Sequence, residues 1–61
     1  MTKFETKQVE TIRAHIMLGN VVSAARGLSS LIRCARTGKS VTELTALAVE
    51  LGLRNHPDFI I

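Results

Sequence analysis

The stretch Thr37-Gly38-Lys39-Ser40-Val41-Thr42-Glu43 decides how this chain folds. It separates two apolar stripes of helical spacing, and it holds a Ser-x-x-Glu pattern running from Ser40 to Glu43. In such a capping box the serine oxygen accepts the backbone N–H three residues on, and the glutamate reaches back to the serine N–H. The pattern predicts a helix that starts at Val41 behind a Ser40 cap. The only other breaks are Gly19-Asn20 upstream and Gly52 downstream. Three helices follow, at about 4–18, 21–36 and 41–51, in a single domain over residues 1–61. The predicted fold is all-α: a small three-helix bundle with a short apolar C-terminal tail docked on the core or on a partner.

Upstream, Thr2 is the expected N-cap of helix one, with Glu5 completing a second Ser/Thr-x-x-Glu pattern. Val9, Ile12 and Ile16 follow i, i+3, i+7 spacing and form the expected buried stripe, with Phe4 and Leu18 near its ends. Lys3, Glu5, Lys7, Glu10 and Arg13 are read as mostly solvated. Gly19 suits the C′ position, where a left-handed backbone carries no Cβ penalty. Asn20 is the expected cap of helix two. There Val21, Ala25, Leu28, Ile32 and Ala35 form a seam of alternating steps, widened by Ala24 and Leu31. Gly27 interrupts it at a cost of about 1 kcal/mol relative to alanine, which points to a tight helix crossing, with a kink as the alternative. Helices one and two should form an antiparallel hairpin, with helix three across its open face.

Downstream, Val41, Leu44, Leu47, Ala48 and Leu51 make the stripe of helix three. A second row, Ala46, Val49 and Leu53, lies on another face and is surplus to a lone bundle. It is either scattered surface apolarity or a contact surface for another chain. The tail from Arg54 to Ile61 is too short for another regular helix, and His56 before Pro57 should be extended. Phe59, Ile60 and Ile61 are unusually apolar for a terminus, which frays unless tied down.

Composition bounds the rest. A domain of 61 residues buries only about 60% of its unfolded surface. Small folds usually compensate with disulfides, a metal or a partner chain. The single cysteine, Cys34, leaves no internal disulfide, and it is read as a small buried hydrophobe beside the helix-two seam. His15 and His56 lie far apart with no second cysteine, so no metal and no cofactor is expected. An efficient helical core or self-association remains, and 46% apolar residues favour both. The longest apolar run in the first half, Ile16-Met17-Leu18, is too short for a signal peptide or a membrane span, which predicts a soluble cytoplasmic protein.

Charge is unevenly placed. The formal net charge is +3, yet no Asp or Glu occurs between Glu10 and Glu43. Arg13, Arg26, Arg33, Arg36 and Lys39 fill that gap. On a helix Arg26 and Arg33 nearly align and Arg36 lies within about a quarter turn of them, so with Lys39 they could track phosphates; a solvated cationic face is the plainer alternative.

Two fragments resemble parts of DNA-binding proteins. Leu47-Ala48-Val49-Glu50-Leu51-Gly52-Leu53 resembles the first helix and turn of the helix-turn-helix motif. That pattern implies a recognition helix with an apolar residue about six past the glycine. Here Asp58 stands there, behind Pro57, and such a helix does not fit. Gly19-Asn20-Val21-Val22-Ser23-Ala24-Ala25-Arg26-Gly27-Leu28 is similar to the opening helix of LysR-type regulators. There a turn should follow Leu28, but Ser29-Ser30-Leu31-Ile32-Arg33 continues the helical stripe.

No nucleophile motif, phosphate loop or metal spacing is present, and so no enzyme and no small-molecule substrate is expected. The sequence points to a protein–protein interaction or regulatory module that forms homo-oligomers, a dimer foremost, through Ala46, Val49, Leu53, Phe59, Ile60 and Ile61. The alternative is a nucleic-acid-binding accessory protein using Arg26, Arg33, Arg36 and Lys39.

Overall fold

Thr2 opens the first helix as its pattern requires. Its hydroxyl accepts the Glu5 N–H at 3.1 Å, and the Glu5 carboxylate accepts the Thr2 N–H at 2.9 Å. The computed structural model describes residues 1–61 as three α-helices with no strand: α1 Lys3–Met17, α2 Val21–Arg33 and α3 Gly38–Glu50.

Both helix-ending glycines adopt the left-handed backbone, with φ of +83° at Gly19 and +72° at Gly52. Each completes a Schellman motif. The Asn20 N–H reaches the His15 carbonyl at 2.8 Å and the Gly19 N–H the Ile16 carbonyl at 3.0 Å. At the end of α3, Leu53 donates to Ala48 at 2.9 Å and Gly52 to Val49 at 3.2 Å. The second motif folds Leu53 back onto the bundle, and it is 2% exposed. Asn20 stands at the start of α2, but its side chain makes no capping hydrogen bond.

The start of α3 departs from expectation. Thr37, not Ser40, is the N-cap: its backbone is extended and its hydroxyl accepts the Ser40 N–H at 3.1 Å. The helix therefore begins at Gly38, and α2 ends at Arg33 because residues 34–37 must make the connection. Ser40 becomes an interior residue of the first turn. Its hydroxyl donates to Glu5 Oε1 at 2.9 Å, and both residues are buried. Glu5 is thus not solvated as expected.

The core joins Val9 and Ile12 of α1, Ala24, Ala25, Leu28, Leu31 and Ile32 of α2, and Leu44, Leu47 and Ala48 of α3 with Leu53 and Phe59. The central element is α2, on which both other helices pack. The Cα traces of α1 and α3 nowhere come within 8 Å, so α3 does not lie across an open face of the hairpin. It meets α1 through side chains: Ser40 with Glu5 and Glu50 with Arg13, the latter at 3.0 Å. Both pairs advance in the same direction, so α1 and α3 run parallel with α2 antiparallel between them. Gly27 faces Ile12, but a Cβ there would lie 3.6 Å from Ile12 Cγ1, an ordinary contact rather than a tight crossing.

Candidate interaction surface

The tail is a strap along α2. Phe59 is buried in the core, between two arginine contacts. Arg26 Nε donates to Asp58 Oδ1 at 3.3 Å, and Arg33 donates to the Ile60 carbonyl. Within the tail, the Asp58 N–H donates to His56 Nδ1 at 3.1 Å, and the Phe59 N–H to the His56 carbonyl at 3.0 Å. An exposed ion pair such as Arg26–Asp58 is worth little by itself. Phe59 is the tail's buried apolar contact with the core, and the two arginines hold the polar groups on either side of it.

This arrangement redistributes the residues singled out from sequence. Leu53 and Phe59, expected at a partner interface, belong to the protein's own core. Ala46, Val49, Ile60 and Ile61 are exposed. Val49 stands at the end of α3, and Ile60 lies against Arg33, so the six residues do not form one surface. Of the four basic residues, Arg26 and Arg33 hold the tail, Arg36 lies in the connection after α2, and Lys39 is in the first turn of α3. The helical alignment expected of Arg36 ends with α2 at Arg33. The helix-turn-helix-like fragment ends at Gly52 with no helix beyond it, and α2 runs unbroken past Leu28. Cys34 is exposed rather than buried, as are Phe4 and Leu18.

Ten large apolar side chains are exposed, against nine in the core once alanines are set aside. The parallel course of α1 and α3 sorts the ten into two poles. Met17, Leu18, Val21, Val22 and Val49 lie where α1 and α3 end and α2 begins. Met1, Phe4, Val41, Ile60 and Ile61 lie at the other end.

The poles differ in charge. No charged side chain occurs from Ala14 to Ala25, so the hairpin tip is uncharged. Its most exposed side chains are Met17 at 88% and Leu18 at 77%. Beside it Arg13 and Glu50 pair with each other, and Arg54, exposed just past Gly52, is the one nearby cation without an acidic partner. The opposite pole carries Lys3, Arg33, Arg36 and Lys39, four of the eight basic side chains. Its two acids are used internally. Glu43 pairs with the N-terminal amine at 3.2 Å. The Glu5 carboxyl is held below its ordinary pKa, first by the Thr2 backbone N–H and then by the Ser40 hydroxyl, against the opposing effect of desolvation.

Two depressions mark the surface. One, of about 390 Å³, is lined by Thr2, Phe4, Glu5, Cys34 and Arg36 at the basic pole. The other, of about 310 Å³, lies between α2 and the tail around Arg26, Ser30 and Arg33. Nowhere do three His, Cys, Asp or Glu side chains converge, and no helix is long and apolar enough to cross a membrane. Fold and surface together define a small all-α bundle with one apolar and one basic pole. No protein family, no curated protein and no solved structure matches the chain.

Proposed function

We propose that this protein is a small protein–protein interaction module, without catalysis, that self-associates through its uncharged hairpin tip. The observation that carries the reading is the exposure of Met17 and Leu18 within a segment, residues 14–25, that has no charged side chain. Interface centres are depleted of charge and enriched in methionine. Two copies that meet through residues 14–25 bring together no charged side chains from that segment, whereas copies that meet at the other pole bring four basic side chains against four. A two-fold contact needs one self-complementary patch, and the tip supplies it. Val49, exposed at the end of α3, lies at the same pole and belongs to the interface that the sequence predicts.

Sedimentation equilibrium from low to high micromolar concentration tests this reading. The wild type should form a dimer. Met17→Glu, at a side chain that is 88% exposed, should yield a folded monomer, and Val49→Asp should weaken the dimer. A wild type that stays monomeric at high micromolar concentration, or a Met17→Glu variant of unchanged mass, refutes it. The nucleic-acid reading is the weaker one. Two of its four basic residues already contact the tail, and the remaining footprint is modest for phosphate binding.

A further inference from the structure

We propose that the basic pole is a docking site for an acidic polypeptide segment that carries an apolar anchor side chain. This inference concerns the end of the molecule opposite the hairpin tip and does not depend on self-association.

Charge complementarity selects the partner. Lys3, Arg36 and Lys39 are exposed and have no acidic partner within the protein. The acids that might neutralise them, Glu5 and Glu43, are bound by Thr2 and Ser40 and by the N-terminal amine. This end of the molecule therefore presents uncompensated positive charge, which attracts carboxylates and speeds their approach.

Shape selects the anchor. Phe4, 65% exposed, lines the depression of about 390 Å³ with Cys34 and Arg36. That is room for a large side chain. Glu5 also lines it and keeps its negative charge, so an acidic group is repelled from the depression itself. An apolar side chain fits against Phe4, while carboxylates on either side of it meet the rim cations. A hydrophobic centre with a polar rim is the usual anatomy of a protein interface. A duplex phosphate backbone would leave Phe4, Val41 and the depression unused. A flat anionic bilayer would cover the depression without filling it.

Fluorescence anisotropy tests the proposal. The probe is a fluorescein-labelled peptide with a Leu-Phe pair between two Glu triplets. Its lysine counterpart, mixed-sequence duplex DNA and phosphatidylserine–phosphatidylcholine vesicles are the competing arms. The acidic peptide should bind most tightly. Arg36→Glu and Phe4→Ala should each weaken it by about tenfold, near 1.4 kcal/mol. Thr11→Ser, exposed in the middle of α1 and away from both poles, should leave it unchanged. Tighter binding of DNA, vesicles or the lysine peptide overturns the proposal. So does an acidic peptide that fails to bind, or wild-type affinity in both the Arg36→Glu and Phe4→Ala variants. The mass measured on the same samples reports self-association separately: a monomer that binds the acidic peptide refutes only the reading of the hairpin tip.

Discussion

Replacing Gly27 by alanine should stabilise the protein, although the residue sits where α1 crosses α2. Helix propensity favours alanine over glycine by about 1 kcal/mol in a helix interior. Whether that gain survives depends on the space at the crossing. A Cβ on Gly27 would meet Ile12 Cγ1 at 3.6 Å and Cδ1 at 3.9 Å, both ordinary van der Waals separations. Nothing has to move, so the propensity gain remains and the new contact adds a small increment. Unfolding entropy near 60 °C is about 2.1 cal/mol/K per residue. Over 61 residues, a gain of about 1 kcal/mol raises Tm by roughly 8 °C. Urea denaturation should show a higher midpoint at unchanged m, since the surface exposed on unfolding barely changes. The same chemical change at Gly19 should act in the opposite direction. There no atom lies within 4 Å, so space is not the obstacle, but φ is +83°, and an L-residue held in that region costs roughly 1–2 kcal/mol. A Gly27→Ala variant less stable than wild type would mean that the helices approach more closely than 3.6 Å. A neutral Gly19→Ala would mean that the turn does not need its left-handed residue.

Two further outcomes test the strap and the Glu5 clamp. Phe59→Ala should lower stability by about 3 kcal/mol, the low end of the range for deleting a buried phenyl ring, because Phe59 is 9% exposed. Ile61→Ala should be neutral in the same urea titration, because Ile61 is 60% exposed; equal effects would refute the docking of the tail. The Glu5 carboxyl has its pKa lowered in the folded protein, so its contribution is complete above the ordinary carboxylate pKa and is lost as pH falls through the folded value. Stability measured between pH 6 and about pH 3 should fall less steeply in Glu5→Gln than in the wild type. Parallel profiles would show that the carboxylate charge contributes nothing to folding.

Much of the buried polar structure was legible one step beyond the capping patterns. Glu5 lies four residues before Val9 and so continues the stripe through Val9, Ile12 and Ile16; the same spacing that predicts burial for the apolar residues predicts it for Glu5. Ser40 stands likewise four residues before Leu44. Each faces inward, and each supplies what the other requires, a hydroxyl donor and a carboxylate acceptor. Local chemistry taken alone points elsewhere. A charged residue in a first turn suggests solvent, and a Ser-x-x-Glu pattern suggests a cap. The sequence places Phe4 at the end of the helix-one stripe and Phe59 in the tail, and neither position by itself says which ring is buried. The tail's position on α2 buries one and leaves the other at the basic pole.

The sequence by itself determined three helices, their order, the Thr2–Glu5 box and the glycine stops at Gly19 and Gly52. These depend on a few neighbouring residues: the 3.6-residue period, a side-chain oxygen three residues before an N–H, and a backbone conformation that only glycine enters freely. Only the tertiary structure decided where α3 begins, because Thr37 and Ser40 are both competent caps. The choice fell to Thr37, and Ser40 binds Glu5, 35 residues away in the chain. It likewise decided that Arg26 and Arg33 hold the tail, and that the exposed apolar residues divide into an uncharged pole and a basic one. Such pairings bring together groups far apart in the chain, and local spacing does not specify which partner a side chain meets once three helices have packed.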